Sequence, residues 1–162
     1  MAERWVVNAS PLILLGKAEI ISLLPSLCDE LVIPAGVVAE LRKGRVADAG
    51  RRWLVGDGGQ FVQPALPIPP ALAGWSGGAG EAEVIAWAMA NPGFKAVLDD
   101  RAARQMAAKQ GVKVLGSLRI IVLAKERGLI PLARPVLEKL RGAGAYVSDE
   151  LINRTIALAG ES

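Results

Sequence analysis

Residues 95–116 read KAVLDDRAARQMAAKQGVKVLG. Residues 95–98, KAVL, make an apolar run of strand length. Residues 100–110 have helical character, with Asp100 at the N-cap position and Gly111 as the stop. Residues 112–115, VKVL, return to a strand. Strand, helix and strand in so short a space predict neighbouring strands of a parallel sheet.

The same alternation extends in both directions. Downstream, a helix is predicted over 117–127, stopped by Gly128, followed by helices over 134–141 and 149–159. Upstream, residues 81–90 read as a helix. Before it lies a long connection, 56–80, with four prolines, many glycines and one short strand near 61–62. Gly77 to Gly80 read as a flexible entry to the helix that follows. Residues 46–55 look helical. Residues 30–33, ELVI, form a strand closed by Pro34, which opens a helix through residue 43. Residues 4–9, RWVVNA, form the first strand. Ser10 is then the expected N-cap and Pro11 the first helical residue. The apolar stretch 12–27 continues with helical spacing, broken near Gly16 and again at Pro25. These readings predict an α/β fold with a mostly parallel sheet and helices on both faces. They also predict one domain over 1–162, with a C-terminal helical segment at about 131–160.

Composition narrows the chemistry. The 162 residues suffice for one core, and a hydrophobic share of 52% excludes a disordered chain. Nineteen basic against sixteen acidic residues give a net charge of +3, which permits a nucleic-acid partner without demanding one. The chain has no histidine, which removes Ser-His-Asp and Cys-His systems, histidine general bases and His-ligated zinc. Its one cysteine, Cys28, excludes an intrachain disulfide and a cysteine-rich metal site. Catalysis is left to carboxylates, lysine, hydroxyls or metals held by oxygen. No uninterrupted apolar stretch reaches the roughly 18 residues of a membrane span. Asn8, Ser10 and Pro11 interrupt the N-terminal apolar run, and no signal-type cleavage site follows. The expected compartment is the cytoplasm, with no membrane partner.

In a parallel sheet, ligands bind beyond the carboxyl ends of the strands. Asn8 ends the first strand, and Asp99 and Asp100 end the strand at 95–98. On a helical wheel of about 100° per residue, Val84, Ile85, Ala88 and Met89 fall within roughly 80° of Glu81. Glu81 thus extends an apolar stripe, while Glu83 points away. Glu40 lies beside Val37 and Leu41 at the edge of another. Each has a plainer reading: Asp100 as a helix cap, Glu81 as an acid favoured by the helix dipole, Glu40 as a solvated residue, Asn8 as a turn former. Taken together, they converge on one edge of one sheet. Oxygen ligands without His or Cys select Mg²⁺ or Mn²⁺, and such ions serve phosphodiester hydrolysis. Arg42, Lys43, Arg45, Arg51 and Arg52 either guide a phosphate backbone or form a solvated helical face.

Five segments then carry a resemblance: VVNASPLILLGKAEIISLLP (6–25), VIPAGVVAELRKG (32–44), GAGEAEVIAWA (78–88), VLDDRAARQMA (97–107) and the stretch 116–151 beginning GSLRIIVLAKERGLIP. In order and spacing, these resemble the PIN-domain superfamily, and more narrowly a VapC-like prokaryotic branch formerly of unknown function. The resemblance implies a three-layer α/β/α sandwich with Mg²⁺ or Mn²⁺ held by acidic residues. It also implies a ribonuclease, commonly a toxin that dimerises and is restrained by a small antitoxin protein. The family's first acid falls on Asn8, its second on Glu40, its third on Glu81 and its last on the Asp99–Asp100 pair. Ser10 matches the hydroxyl that follows the first acid. Asn8 departs from the aspartate of most members: its amide oxygen can bind a metal but brings no charge. The expected function is therefore metal-dependent RNA hydrolysis, with RNA as partner. The alternatives are an RNA-binding or regulatory module that has lost catalysis, a phosphatase built on the same carboxylates, and an interaction protein.

Overall fold

The computed structural model describes residues 2–44, 48–145 and 147–162. Its strands are β1 (Arg4–Val7), β2 (Glu30–Pro34), β3 (Val62–Gln63), β4 (Phe94–Val97) and β5 (Val114–Leu115). They form one five-stranded sheet in the order β3-β2-β1-β4-β5, each neighbouring pair parallel. The middle strand is the most apolar: Trp5, Val6 and Val7 are fully buried, as both covered faces of a parallel sheet require. Val6 sits opposite Val32 on one side and Ala96 on the other.

The helices are α1 (Ala9–Lys17), α2 (Leu24–Leu27), α3 (Ala35–Arg42), α4 (Ala49–Val55), α5 (Ala79–Ala90), α6 (Arg101–Lys109), α7 (Ser117–Glu126), α8 (Ala133–Gly142) and α9 (Asp149–Leu158). The steps from β1 to β2 and from β4 to β5 run in opposite directions across the sheet. Right-handed crossovers therefore put α1 and α6 on opposite faces. The result is a three-layer α/β/α sandwich. α5 packs across β1, β2 and β4, while α7, α8 and α9 pack on one another and α1 contacts α7 and α8. Among the described residues no single helix is long and apolar enough to cross a membrane.

The strand order fixes where a ligand fits. From β1 the chain builds outward through β2 to β3, then returns to lay β4 on the other side of β1. The order reverses between β1 and β4, and it is beyond the carboxyl ends of the strands at such a reversal that parallel sheets bind ligands. The Asn8 amide gives the last rung between the two strands, donating to the Val97 carbonyl at 3.2 Å.

Several local expectations are corrected. The first strand ends at Val7 rather than at residue 9. Asn8, with φ −82° and ψ 169°, is the N-cap of α1, so Ser10 lies inside the first turn and is not the cap. The apolar stretch that follows breaks just after Gly16, at residues 18–20, where Glu19 takes a left-handed φ of 60°, and Pro25 lies within the first turn of α2 rather than at a break. Pro25 is tolerated in the first turn of α2 because its missing N–H has no partner there. Gly16 serves helix packing instead. A Cβ there would lie 2.5 Å from the Gly50 nitrogen, and one at Gly50 would lie 2.6 Å from the Leu12 carbonyl oxygen. The backbones of α1 and α4 touch at that crossing. The expected start of a helix at 46 lies outside the described residues. The long connection carries 3₁₀ turns at Asp57–Phe61 and Pro70–Leu72, and its strand falls at Val62–Gln63.

Behind the sheet, Glu161 ties the last two helices together. Its buried carboxylate accepts the N–H groups of Ala133 (2.6 Å) and Arg134 (3.2 Å) and lies 3.1 Å from Lys125 Nζ. Burial alone would raise its pKa. The α8 amides and the Lys125 ammonium outweigh that, and the group is held below its ordinary value of 4.5.

Candidate functional site

At the switch point stands Asn8, which is 5% exposed. Its side chain makes no capping bond, and its amide Oδ1 is buried without a hydrogen-bond partner. Leaving such an acceptor unsatisfied costs about 1–3 kcal/mol. That cost marks Asn8 as a place where something beyond helix capping is accommodated.

Glu40 comes from the second turn of α3, which starts as the chain leaves β2. Its Oε1 accepts the Gly80 N–H at 2.9 Å. Gly80 is the meeting point of the two halves of the sheet. A Cβ there would lie 2.5 Å from Glu40 Oε1 and 3.3 Å from Asn8 Oδ1. Only a residue without a side chain lets all three approach. The run 77–80 is thus no mere flexible entry, because Ala79 and Gly80 already belong to α5.

Glu81 occupies the third position of α5 and reaches back, its Oε1 accepting the Gly78 N–H at 3.0 Å. Burial pushes its carboxyl above the ordinary value. The Gly78 N–H opposes this, and the negative charges of Asp100 and Glu40 add to it. Glu81 therefore sits in the field of two other carboxylates.

The two neighbouring aspartates have different environments. Asp99 has both oxygens engaged by Ser117: Oδ1 accepts its N–H at 2.8 Å and Oδ2 its hydroxyl at 2.6 Å. It ties the end of β4 to the start of α7. Asp100 is the N-cap of α6, accepting the Ala103 N–H through Oδ2 at 2.9 Å, and its charge reaches Glu81. Ser10 is exposed in the first turn of α1, and no hydrogen bond joins it to these groups among the described residues.

The model of a family described as a PIN domain matches residues 4–161. The chain belongs to the PIN-domain family. PIN domains carry a nuclease-type fold, generally depend on divalent metal and commonly bind RNA. Compared with curated proteins and with solved structures, the chain finds no significant match.

The donors of this PIN domain fit a hard divalent cation in kind. All are oxygens, one is an orphaned buried amide, and Glu81 has its charge disfavoured by two neighbouring acids. Among the described residues, however, no three acidic side chains are drawn around one point as they stand. The hydrogen bonds of Glu40, Glu81 and Asp100 each use one carboxylate oxygen.

One acid in the field of Glu40 escapes the sequence reading. Glu83, expected to point away, is half-buried, and its Oε2 is enclosed without a hydrogen-bond partner. A Cβ on Gly36 would fall 1.6 Å from that oxygen, so the carboxylate fills the space over the start of α3. Burial raises its pKa, the charge of Glu40 adds to this and the Gly36 N–H opposes it. Glu83 does not point out to solvent as a helical wheel implies, because α5 offers no broad solvent-facing side. α5 is apolar around its whole circumference and packs against both the sheet and α3, so it has little such side. The uniform apolarity of residues 79–90 was the usable signal. Of the basic cluster, Arg42 and Lys43 are exposed at the end of α3. Arg51 donates from Nη1 to the Gly44 carbonyl at 3.0 Å, and Arg45 lies outside the described residues.

Proposed function

We propose that this PIN domain is a divalent-metal-dependent endoribonuclease whose ion is held by Asn8, Glu40, Glu81 and Asp100. The observation that carries the reading is the partnerless, buried Oδ1 of Asn8, which faces Glu40 across Gly80 where the strand order reverses. Asp99, with both oxygens on Ser117, then acts as a positioning residue that fixes the turn carrying Asp100. When bound, Mg²⁺ or Mn²⁺ supplies positive charge against the phosphate oxygens and eases deprotonation of water. In the hydrolysis a bond forms from the water oxygen to phosphorus, the P–O bond to one ribose oxygen breaks, and the proton given up by the water ends on that leaving oxygen. Glu40, Glu81 and Asp100 provide the negative field that draws in the cation, and Asn8 provides a neutral fourth oxygen. One charge fewer than an aspartate would give makes binding weaker and favours Mn²⁺. Exposed Lys43, the C-cap of α3, follows Glu40 by three residues and so lies on its side of the helix, where a cation can steer a phosphate backbone.

The proposal extends to a cytoplasmic toxin of the VapC kind, dimeric and held in check by a small antitoxin. The sequence resemblance and the exposed Val55 and Leu158, 75% and 64% accessible, support a covering partner. The second reading, an RNA-binding module without catalysis, is favoured by one residue, the amide at position 8.

Cleavage of a mixed single-stranded RNA with Mn²⁺, Mg²⁺ or chelator tests the choice. Expected are chelator-sensitive cleavage, a loss of about hundredfold or more in Glu81→Ala and a gain in Asn8→Asp. Activity in Asn8→Asp alone would transfer the natural protein to the binding-module reading. Inertness of both, with no metal binding at millimolar concentrations, would overturn the proposal.

A further inference from the structure

We propose that Arg101, Arg104 and Gln105 on α6 form a phosphate subsite, one that takes a backbone phosphate of the RNA strand flanking the phosphate at the Asn8–Glu40–Glu81 group. The inference rests on the ribonuclease reading above.

Positions 101, 104 and 105 share one face of α6, since residues three and four apart are neighbours on a helix. With Asp99 and Ala108 they line an open cavity of about 350 Å³. Arg101 follows Asp100 directly and Asp99 is part of the lining, so the cavity adjoins the aspartate pair at the end of β4. The guanidinium of Arg104 lies over Gly116: a Cβ there would stand 3.1 Å from Arg104 Nη1 and 3.5 Å from Asp99 Oδ1. The arginine is thus brought next to an aspartate without pairing to it, because Ser117 engages both Asp99 oxygens.

Among the described residues, neither Arg101 nor Arg104 makes an ion pair or a hydrogen bond. Elsewhere Arg4, Arg119, Arg141 and Arg154 each meet a carboxylate. Two guanidiniums therefore face an open cavity with their donors unused, and the charge of Asp99, which its bonds to Ser117 leave in place, offsets only one of the two. The planar donor fork of arginine matches a phosphate in geometry and charge, and Gln105 adds an uncharged donor. A strand whose phosphate reaches Asp100 meets this cavity next, through Asp99 and Arg101.

The test is binding of a fluorescent oligouridylate in EDTA, where no cleavage occurs, across a range of salt. Arg104→Ala is expected to weaken binding about tenfold and to flatten the slope of log affinity against log salt by about 0.7, one counterion's worth for a single strand. Arg104→Lys should keep the slope but bind more weakly. Gly116→Ala, which changes no charge, should also weaken binding by crowding the guanidinium. Lys109→Ala, the same charge change at the far end of α6, should leave the affinity within about twofold of the parent. Equal affinities and slopes for Arg104→Ala and Lys109→Ala, with RNA cleavage intact, would overturn the subsite and leave the ribonuclease standing. Absence of RNA binding by the parent and of cleavage by Asn8→Asp would overturn both.

Discussion

Glu81 and Glu161 are the same residue in opposite surroundings. Glu161, at the back of the molecule, meets two helix amides and an ammonium, and its charge is favoured. Glu81, at the carboxyl edge of the sheet, meets one amide and two other acids, and its charge is disfavoured. The first carboxylate completes the fold; the second is left incomplete by it. The partnerless oxygens of Asn8 and Glu83 lie near the second and none lies near the first among the described residues. Unsatisfied polar groups in a folded chain are costly, and of the four buried side-chain atoms without a partner among the described residues two are these oxygens, the others being Trp87 Nε1 and Arg141 Nε.

The sharpest way to test this contrast is to add the cation. Mn²⁺ at about a hundred times its Kd should raise unfolding stability by about 2.7 kcal/mol. The gain should vanish in Glu81→Ala and persist in Glu161→Gln, as read by urea denaturation. Next in size, Glu161→Gln should cost about 2 kcal/mol at pH 7. The Glu161 pKa is lowered in the folded chain, so its contribution is full above the ordinary carboxylate value of 4.5 and is lost as pH falls through the lower folded value. The variant's deficit should therefore shrink on acidification. The smallest effect has the opposite sign. The Glu81 pKa is raised, so its charge opposes folding once pH climbs through 4.5 and then through the higher folded value. Metal-free Glu81→Gln should be more stable than the parent at pH 7, by at most about 1 kcal/mol after solvent screening, and equal to it below pH 4. A loss at pH 7 would break the contrast.

Much of the fold could be read before the structure. The apolar runs of β1, β2 and β4 are short and bounded, and Gly111 and Gly128 stop their helices with φ of 73° each. What escaped was decided by contacts between distant segments. Ser10 followed by Pro11 is a good local start signal, but Asn8 caps α1 because its N–H is already bound to Val97 across the sheet. The break at Glu19 has no glycine to announce it. The glycines at 16 and 80 looked like local breakers, yet each is a point where two elements touch. In the candidate site, residue types and strand ends were legible. The division of labour between Asp99 and Asp100 was not, since it depends on Ser117, eighteen positions further on. Arg104 was illegible for the same reason: its place over Gly116 follows from how α6 and α7 leave adjacent strands.

The position of β1 in the middle of the sheet has a consequence during synthesis. A ribosome that has released residues 4–63 has supplied β1, β2 and β3, and with them Asn8 and Glu40. One edge of the central strand is still bare. Its second neighbour arrives only with residues 94–97, which come out together with the turn that carries Asp99 and Asp100. Late pairing of sequence-distant strands is slow. The nascent chain therefore passes through a stage with an open edge and half a site, and closing that edge is the same event as assembling the site. A hydrolase active before its own translation ends would endanger the message being read. Under the ribonuclease proposal, this topology withholds Asp99 and Asp100 from the fragment until the sheet is closed.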